Sequence, residues 1–166
     1  MQTMNPPLES VAQAKSKFER INERMLHLLT FVPDDKLTWT PAPTAKSALR
    51  IIAHGALTSR NFAKLITGTM PADVPSPQEF FAELYAGELN YTTRESVIAL
   101  SNETAAELCQ AMDSLTEETV NGTTQGPFGE RPVMFWVELT HDHMIGHVGQ
   151  LEYLQTIWGD LDLHFS

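Results

Sequence analysis

The sequence predicts an all-α fold, a four-helix bundle, on three observations. Apolar residues recur at three-four spacing along four long segments. Prolines cluster at 6–7, 33–43, 71–77 and 127–132, between those segments, where a ring that cannot continue a helix punctuates the chain. No part of the chain reads as a set of alternating strands. Hydrophobic residues make up 42% of the sequence and charged residues 19%, enough apolar material for a full core. The 166 residues are read as a single domain, 1–166.

The first segment runs from Leu8 to Phe31, and Val11, Phe18, Ile21, Met25, Leu28 and Val32 follow helical spacing. The second runs from Ser47 to Thr67, with Gly68 placed to stop it. The third covers Thr92 to Leu115, with Val97, Leu100, Leu108, Met112 and Leu115 along one side. The fourth runs from Pro132 to Trp158; Pro132 suits a first turn and Gly159 an end. At about 20 residues each, such helices are about 30 Å long, the length of a bundle. Residues 68–91 form a long connection with a short helix expected from Gln78 to Leu89. Residues 119–131 read as an ordered loop or small hairpin.

Charge narrows the partners. The formal net charge is −10, and no basic stripe is present, so neither nucleic acid nor an anionic membrane is expected as a partner. No apolar run approaches the roughly 20 residues that span a bilayer. The opening MQTMNPPLES lacks the charged and apolar regions of a signal peptide. Cys109 is the single cysteine, so no intrachain disulfide forms, which fits a reducing compartment. A cytoplasmic protein is expected.

The segment HDHMIGHVGQ, 141–150, holds three of the six histidines. Histidine is a mediocre helix former and glycine a poor one, so helix propensity does not explain this stretch. At about 100° per residue, His147 falls about 40° from His143. Trp136, Leu139, Thr140, Gln150, Leu154, Ile157 and Trp158 fall within roughly 60° of it. His143 and His147 therefore face the interior and His141, about 160° away, faces out. Two histidines at i and i+4 can hold one metal ion. His54, on the second helix, shares a stripe with Ser47, Ile51, Thr58, Asn61 and Leu65, a partly polar face that suggests a wet cavity and a third ligand. Gly146 and Gly149 mark places where a helix or a second chain approaches closely. His27 is placed to stabilise the end of the first helix, and His164 is free in the tail. Cys109, lacking a setting that lowers its pKa, is not a nucleophile.

HMIGHVGQ, with FVPDDKLTWTPAPTAKSALRIIAH before it, resembles the DinB-like family, the DinB/YfiT-like metalloenzymes. The resemblance implies a bundle that binds a metal through His54, His143 and His147. Related proteins bind zinc or nickel, and some are thiol-dependent S-transferases or isomerases that use low-molecular-weight bacterial thiols. Dimers are common among them, so a homodimer is expected.

Three neutral imidazoles suit Zn²⁺, Ni²⁺ or another divalent first-row ion, and leave a coordination position open, as catalytic sites do. The expected function is that of a metal-dependent enzyme acting on a small-molecule substrate, either a thiol-dependent S-transferase or a hydrolase. Gln150, one turn past His147, is a candidate to hydrogen-bond a metal-bound group. Glu138 points away and Asp142 lies to the side, so no general base is visible. That keeps open the alternative of a non-enzymatic metal-binding or small-ligand-binding protein of a stress response.

Overall fold

The computed structural model describes residues 6–165; residues 1–5, the start of the segment read for targeting signals, and Ser166 lie outside them. Six helices and one hairpin follow in order: α1 (Pro6–Leu29), α2 (Ala48–Thr67), α3 (Pro77–Glu88), α4 (Arg94–Asp113), α5 (Glu117–Val120), β1 (Thr123–Gly126), β2 (Gly129–Pro132) and α6 (Val133–Ile157). The four long helices are those the sequence predicts, with ends that differ by no more than two residues; α1 starts two residues earlier and ends two earlier than expected. The short helix α5 was not expected.

Local chemistry fixes the ends. Ser47 caps α2 by accepting from the Arg50 N–H. At its other end Gly68 turns left-handed (φ 67°), and the N–H of Thr69 reaches back to the Lys64 carbonyl. A side chain would strain that backbone, which is why a glycine stands there. Ser76 and Glu79 form a capping box on α3, and Thr93 with Ser96 forms one on α4. Arg94 closes the end of α1 from outside. Its guanidinium donates to the carbonyls of Leu29 and Val32 and to Asp34.

The bundle does not place its first two long helices side by side. α1 packs on α6 and α4, and α2 packs on the same two, so α1 lies diagonally across from α2. Phe18, Met25, Ile52, Leu108, Met112 and Leu151 are fully buried in the shared core. A buried hydrogen bond from Ser101 to Asn22 (2.8 Å) ties α4 to α1. The forked pair of Arg60 with Glu107 (2.8 and 3.0 Å) ties α2 to α4. α3 lies against α2, and the hairpin sits over α2 and the start of α6. Gly126 permits that seating: a Cβ there would fall 2.5 Å from Leu65 Cδ2.

On α6 the buried residues include Trp136, Thr140, Met144, His147, Val148, Leu151 and Leu154. Measured from His143, that arc runs from about 20° to about 140°. His143 lies at its edge rather than its centre. The shift explains three departures from expectation. Gln150 and Ile157 are exposed, and Gly146 does not enter a helix contact beside the histidines. A Cβ at Gly146 or Gly149 would meet nothing within 4 Å. His164 is not free either. It stacks on Phe31, centroids 3.7 Å apart, and pairs with Asp160 at 2.8 Å. Among the described residues no helix is long and apolar enough to cross a membrane.

Candidate metal centre

The diagonal arrangement makes α2 and α6 neighbours and brings together three histidines that are distant in sequence. One ring nitrogen from each of His54, His143 and His147 lies within 4.8 Å of the others, and among the described residues they are the one such group. His143 Nε2 and His147 Nε2 are 3.0 Å apart. His54 and His147 are buried, and His143 is partly so. His141 is outside the cluster and pairs with Asp142 (3.3 Å).

The outer nitrogens are held. His147 Nδ1–H donates to Gln150 Oε1 (2.8 Å), so its Nε2 presents a lone pair to the cluster. Gln150 thus sits on the far side of His147 from the other two histidines. His54 Nδ1–H donates to Glu88 Oε1 (2.6 Å), which likewise turns its Nε2 inward. Fixing the ring by its second nitrogen is the usual support of a ligating histidine.

Glu88 is the residue that sequence reasoning missed. It is the last residue of α3 and is fully buried. Besides His54 it is bound by the Lys46 ammonium and by Arg50 Nη2 (3.1 Å). A signal was available: Lys46, Arg50 and His54 are four residues apart and form a row of basic groups that requires an anion. Which anion was not legible, because Glu88 lies 34 residues further on, in a helix that reads as a connection.

Burial, first of all, pushes these imidazoles towards the neutral form. It lowers His54 to about 4, helped by the Lys46 and His147 charges, and His143 to about 3, helped by its two neighbours. His147 is lowered as well, again mainly by burial. Burial alone would raise the Glu88 carboxyl, but hydrogen bonds from Lys46 and His54 hold it below its ordinary value, so it stays ionised. The Cys109 thiol is pushed up to about 11 by burial and then by Glu19, which suits an inert cysteine.

A divalent ion fits this set. Metal binding needs deprotonated ligands, and three imidazoles kept neutral by burial meet that need. Their spread, from 3.0 to 4.8 Å, brackets the roughly 3.3 Å between ligands around a tetrahedral ion with bonds of about 2.0 Å.

His54 and His143 open onto a cavity of about 300 Å³ whose walls come from α2, α3, the hairpin and α6. Thr58, Asn61 and Leu65, from the stripe expected to bound a wet cavity, line it together with Phe62, Phe80, Phe81, Phe128, Phe135 and Trp136, whereas Ser47 and Ile51 of that stripe do not. A larger hollow of about 470 Å³ runs along Arg60 and Glu107, and none of the three histidines lines it.

Fold and cluster together define a helical bundle with a buried three-histidine centre, the build of a bundle metalloprotein. The chain belongs to the DinB superfamily, whose family model matches residues 17–151. It is similar to the structure of a DinB-like protein, YjoA, from Bacillus subtilis (20% identity, TM-score 0.68, covering 92% of this chain and 96% of that one). It is also similar to YfiT from Bacillus subtilis, described as a probable metal-dependent hydrolase with an unusual four-helix bundle topology (14% identity, TM-score 0.63, 94% and 92%). A third similar structure is a mycothiol-dependent maleylpyruvate isomerase (15% identity, TM-score 0.69), of which this chain spans 60% while 85% of its own length is covered. No curated protein matches the sequence.

Proposed function

We propose that this protein is a metal-dependent, thiol-using transferase, with a divalent ion, zinc or nickel, held by His54, His143 and His147. The observation that carries the reading is the inward-facing cluster of neutral imidazoles on the wall of an open apolar cavity. When bound, the ion would lower the pKa of a thiol or of water, giving a nucleophile near neutral pH. Glu88 and Gln150 orient His54 and His147, and the aromatic walls exclude water from the reacting groups.

The choice of thiol transfer over hydrolysis rests on Glu88. Its carboxylate is committed to Lys46, Arg50 and His54, and no carboxylate is among the residues that line the cavity. Hydrolysis benefits from a free base to take a proton from water, whereas a coordinated thiol ionises outright. The net reaction joins the thiol sulfur to an electrophilic carbon, and the leaving group departs with the thiol proton. The fold is shared with a mycothiol-dependent enzyme, which agrees with this reading. The partner is a low-molecular-weight thiol, and the protein works as a homodimer.

The test is turnover by the zinc- or nickel-loaded protein, with several small thiols and a panel of electrophiles and esters. Thiol-dependent product is expected. Product without thiol would identify a hydrolase, and no turnover in any combination would favour a metal-binding protein without catalysis.

A further inference from the structure

The cavity beside His54 and His143 has a chemistry of its own. At its mouth Phe80, Phe81 and Phe128 meet one another with centroids 5.7 to 6.0 Å apart, one pair within α3 and two across to the hairpin. Phe81, Phe128 and Phe135 are about two-fifths exposed, 38%, 40% and 42%. Such rings cost free energy in water, and their gathering at one opening marks a binding surface. Its volume of about 300 Å³ is about twice that of a cavity that takes benzene, about 150 Å³, so a fused or substituted ring fits.

Arg131 is the one charged residue among those lining the cavity. It is exposed on β2, donates to the Glu130 carbonyl (2.9 Å) and makes no ion pair among the described residues. The neighbouring Glu130 carboxylate is taken up by the Thr123 hydroxyl (2.5 Å). On a chain of net charge −10, an unneutralised cation at an aromatic mouth favours an anion there. Thr58 and Trp136, also in the lining, each carry a buried polar atom without a protein partner, which a purely hydrocarbon ligand would leave unsatisfied.

We propose that this cavity selects a small aromatic monoanion, its ring between the phenyl walls and its acidic group at Arg131. The role of that molecule as the transferase's acceptor substrate rests on the function proposed for the histidine cluster; its binding does not. The geometry turns the acid towards the hairpin and leaves the ring's inner edge towards His143.

Calorimetric titration of the metal-loaded protein with 2-naphthoate, 2-naphthamide and hexanoate tests this. Naphthoate should bind at least tenfold more tightly than hexanoate and at least threefold more tightly than the neutral amide. Arg131→Gln should remove the preference for acid over amide, and Phe128→Ala should weaken both ring ligands, with metal content unchanged in each. Chelation of the metal should leave naphthoate binding within about threefold. Hexanoate binding as tightly as naphthoate, a preference that survives Arg131→Gln, or loss of naphthoate binding on chelation would each overturn the proposal. The last would place the carboxylate on the ion. A protein that holds metal but not naphthoate refutes this inference alone, and one that binds naphthoate but no metal refutes the transferase reading alone.

Discussion

Glu88 occupies a position that physics disfavours twice. It is fully buried, which is costly for a charge, and it ends a helix, where the dipole repels an anion. Lys46, Arg50 and His54 offset both costs, so removing the carboxylate should leave three donors without their acceptor. Glu88→Ala is expected to destabilise the protein by about 3–5 kcal/mol, the usual cost of breaking a buried pair from one side. Glu88→Gln keeps a neutral acceptor for His54, so it should melt between parent and alanine variant and bind metal about 10- to 100-fold more weakly than the parent. Thermal melts and metal titrations check both; a Glu88→Gln protein with parental metal affinity would show that Glu88 does not orient His54.

The histidines themselves carry a pH signature. They are neutral in the folded, metal-free chain down to about 4 for His54 and about 3 for His143, whereas unfolded histidine protonates near 6.5. Below about 6.5 the unfolded state therefore binds more protons, and folding stability must fall as pH falls from there towards 4. Glu88 contributes in a lower window: its folded carboxyl is depressed below 4.5, so its stabilisation is lost only as pH drops below that value. Urea midpoints of the metal-free protein should decline between pH 6.5 and 5, and a His143→Phe variant should flatten the decline. A flat parental curve over that range would contradict the buried, neutral cluster.

At the scale of elements, the four long helices were legible because each repeats its apolar pattern over some twenty residues, and Gly68 and Gly159 mark the ends of two of them. The walls of the cavity were not. A short helix and an ordered loop or small hairpin were expected where α3 and β1–β2 stand, but nothing in the sequence placed Phe80, Phe81, Phe128 and Arg131 around one cavity, or Glu88 against His54. Short elements hold their place by tertiary contact, which leaves little periodic trace. The same limit misplaced the face of α6. Centring the helix on His143 put Gly146 inside, while the apolar majority at Met144, Val148 and Leu151 rotates the buried arc away from it. With open space at both glycines, Gly146→Ala and Gly149→Ala should each stabilise the monomer by up to about 1 kcal/mol through helix propensity. Raised melting temperatures with unchanged metal content are expected. A lowered one at Gly149, with a change in sedimentation, would place that face in a dimer contact.

Across the whole molecule, the site depends on the order in which the helices pack. Sequence could place His54 on one helix and His143 with His147 on another, but not decide that α2 and α6 would be neighbours. The diagonal placement of α1 and α2 decides it. That topology sets a histidine of the second helix against two from the last, with the connections folded over the opening. The central claim, a divalent ion held by these three side chains, is tested most directly by elemental analysis of the purified protein and of four single alanine variants. One zinc or nickel ion per chain is expected in the parent and in His141→Ala, with strong loss in His54→Ala, His143→Ala and His147→Ala. Full metal content in His54→Ala together with loss in His141→Ala would contradict it.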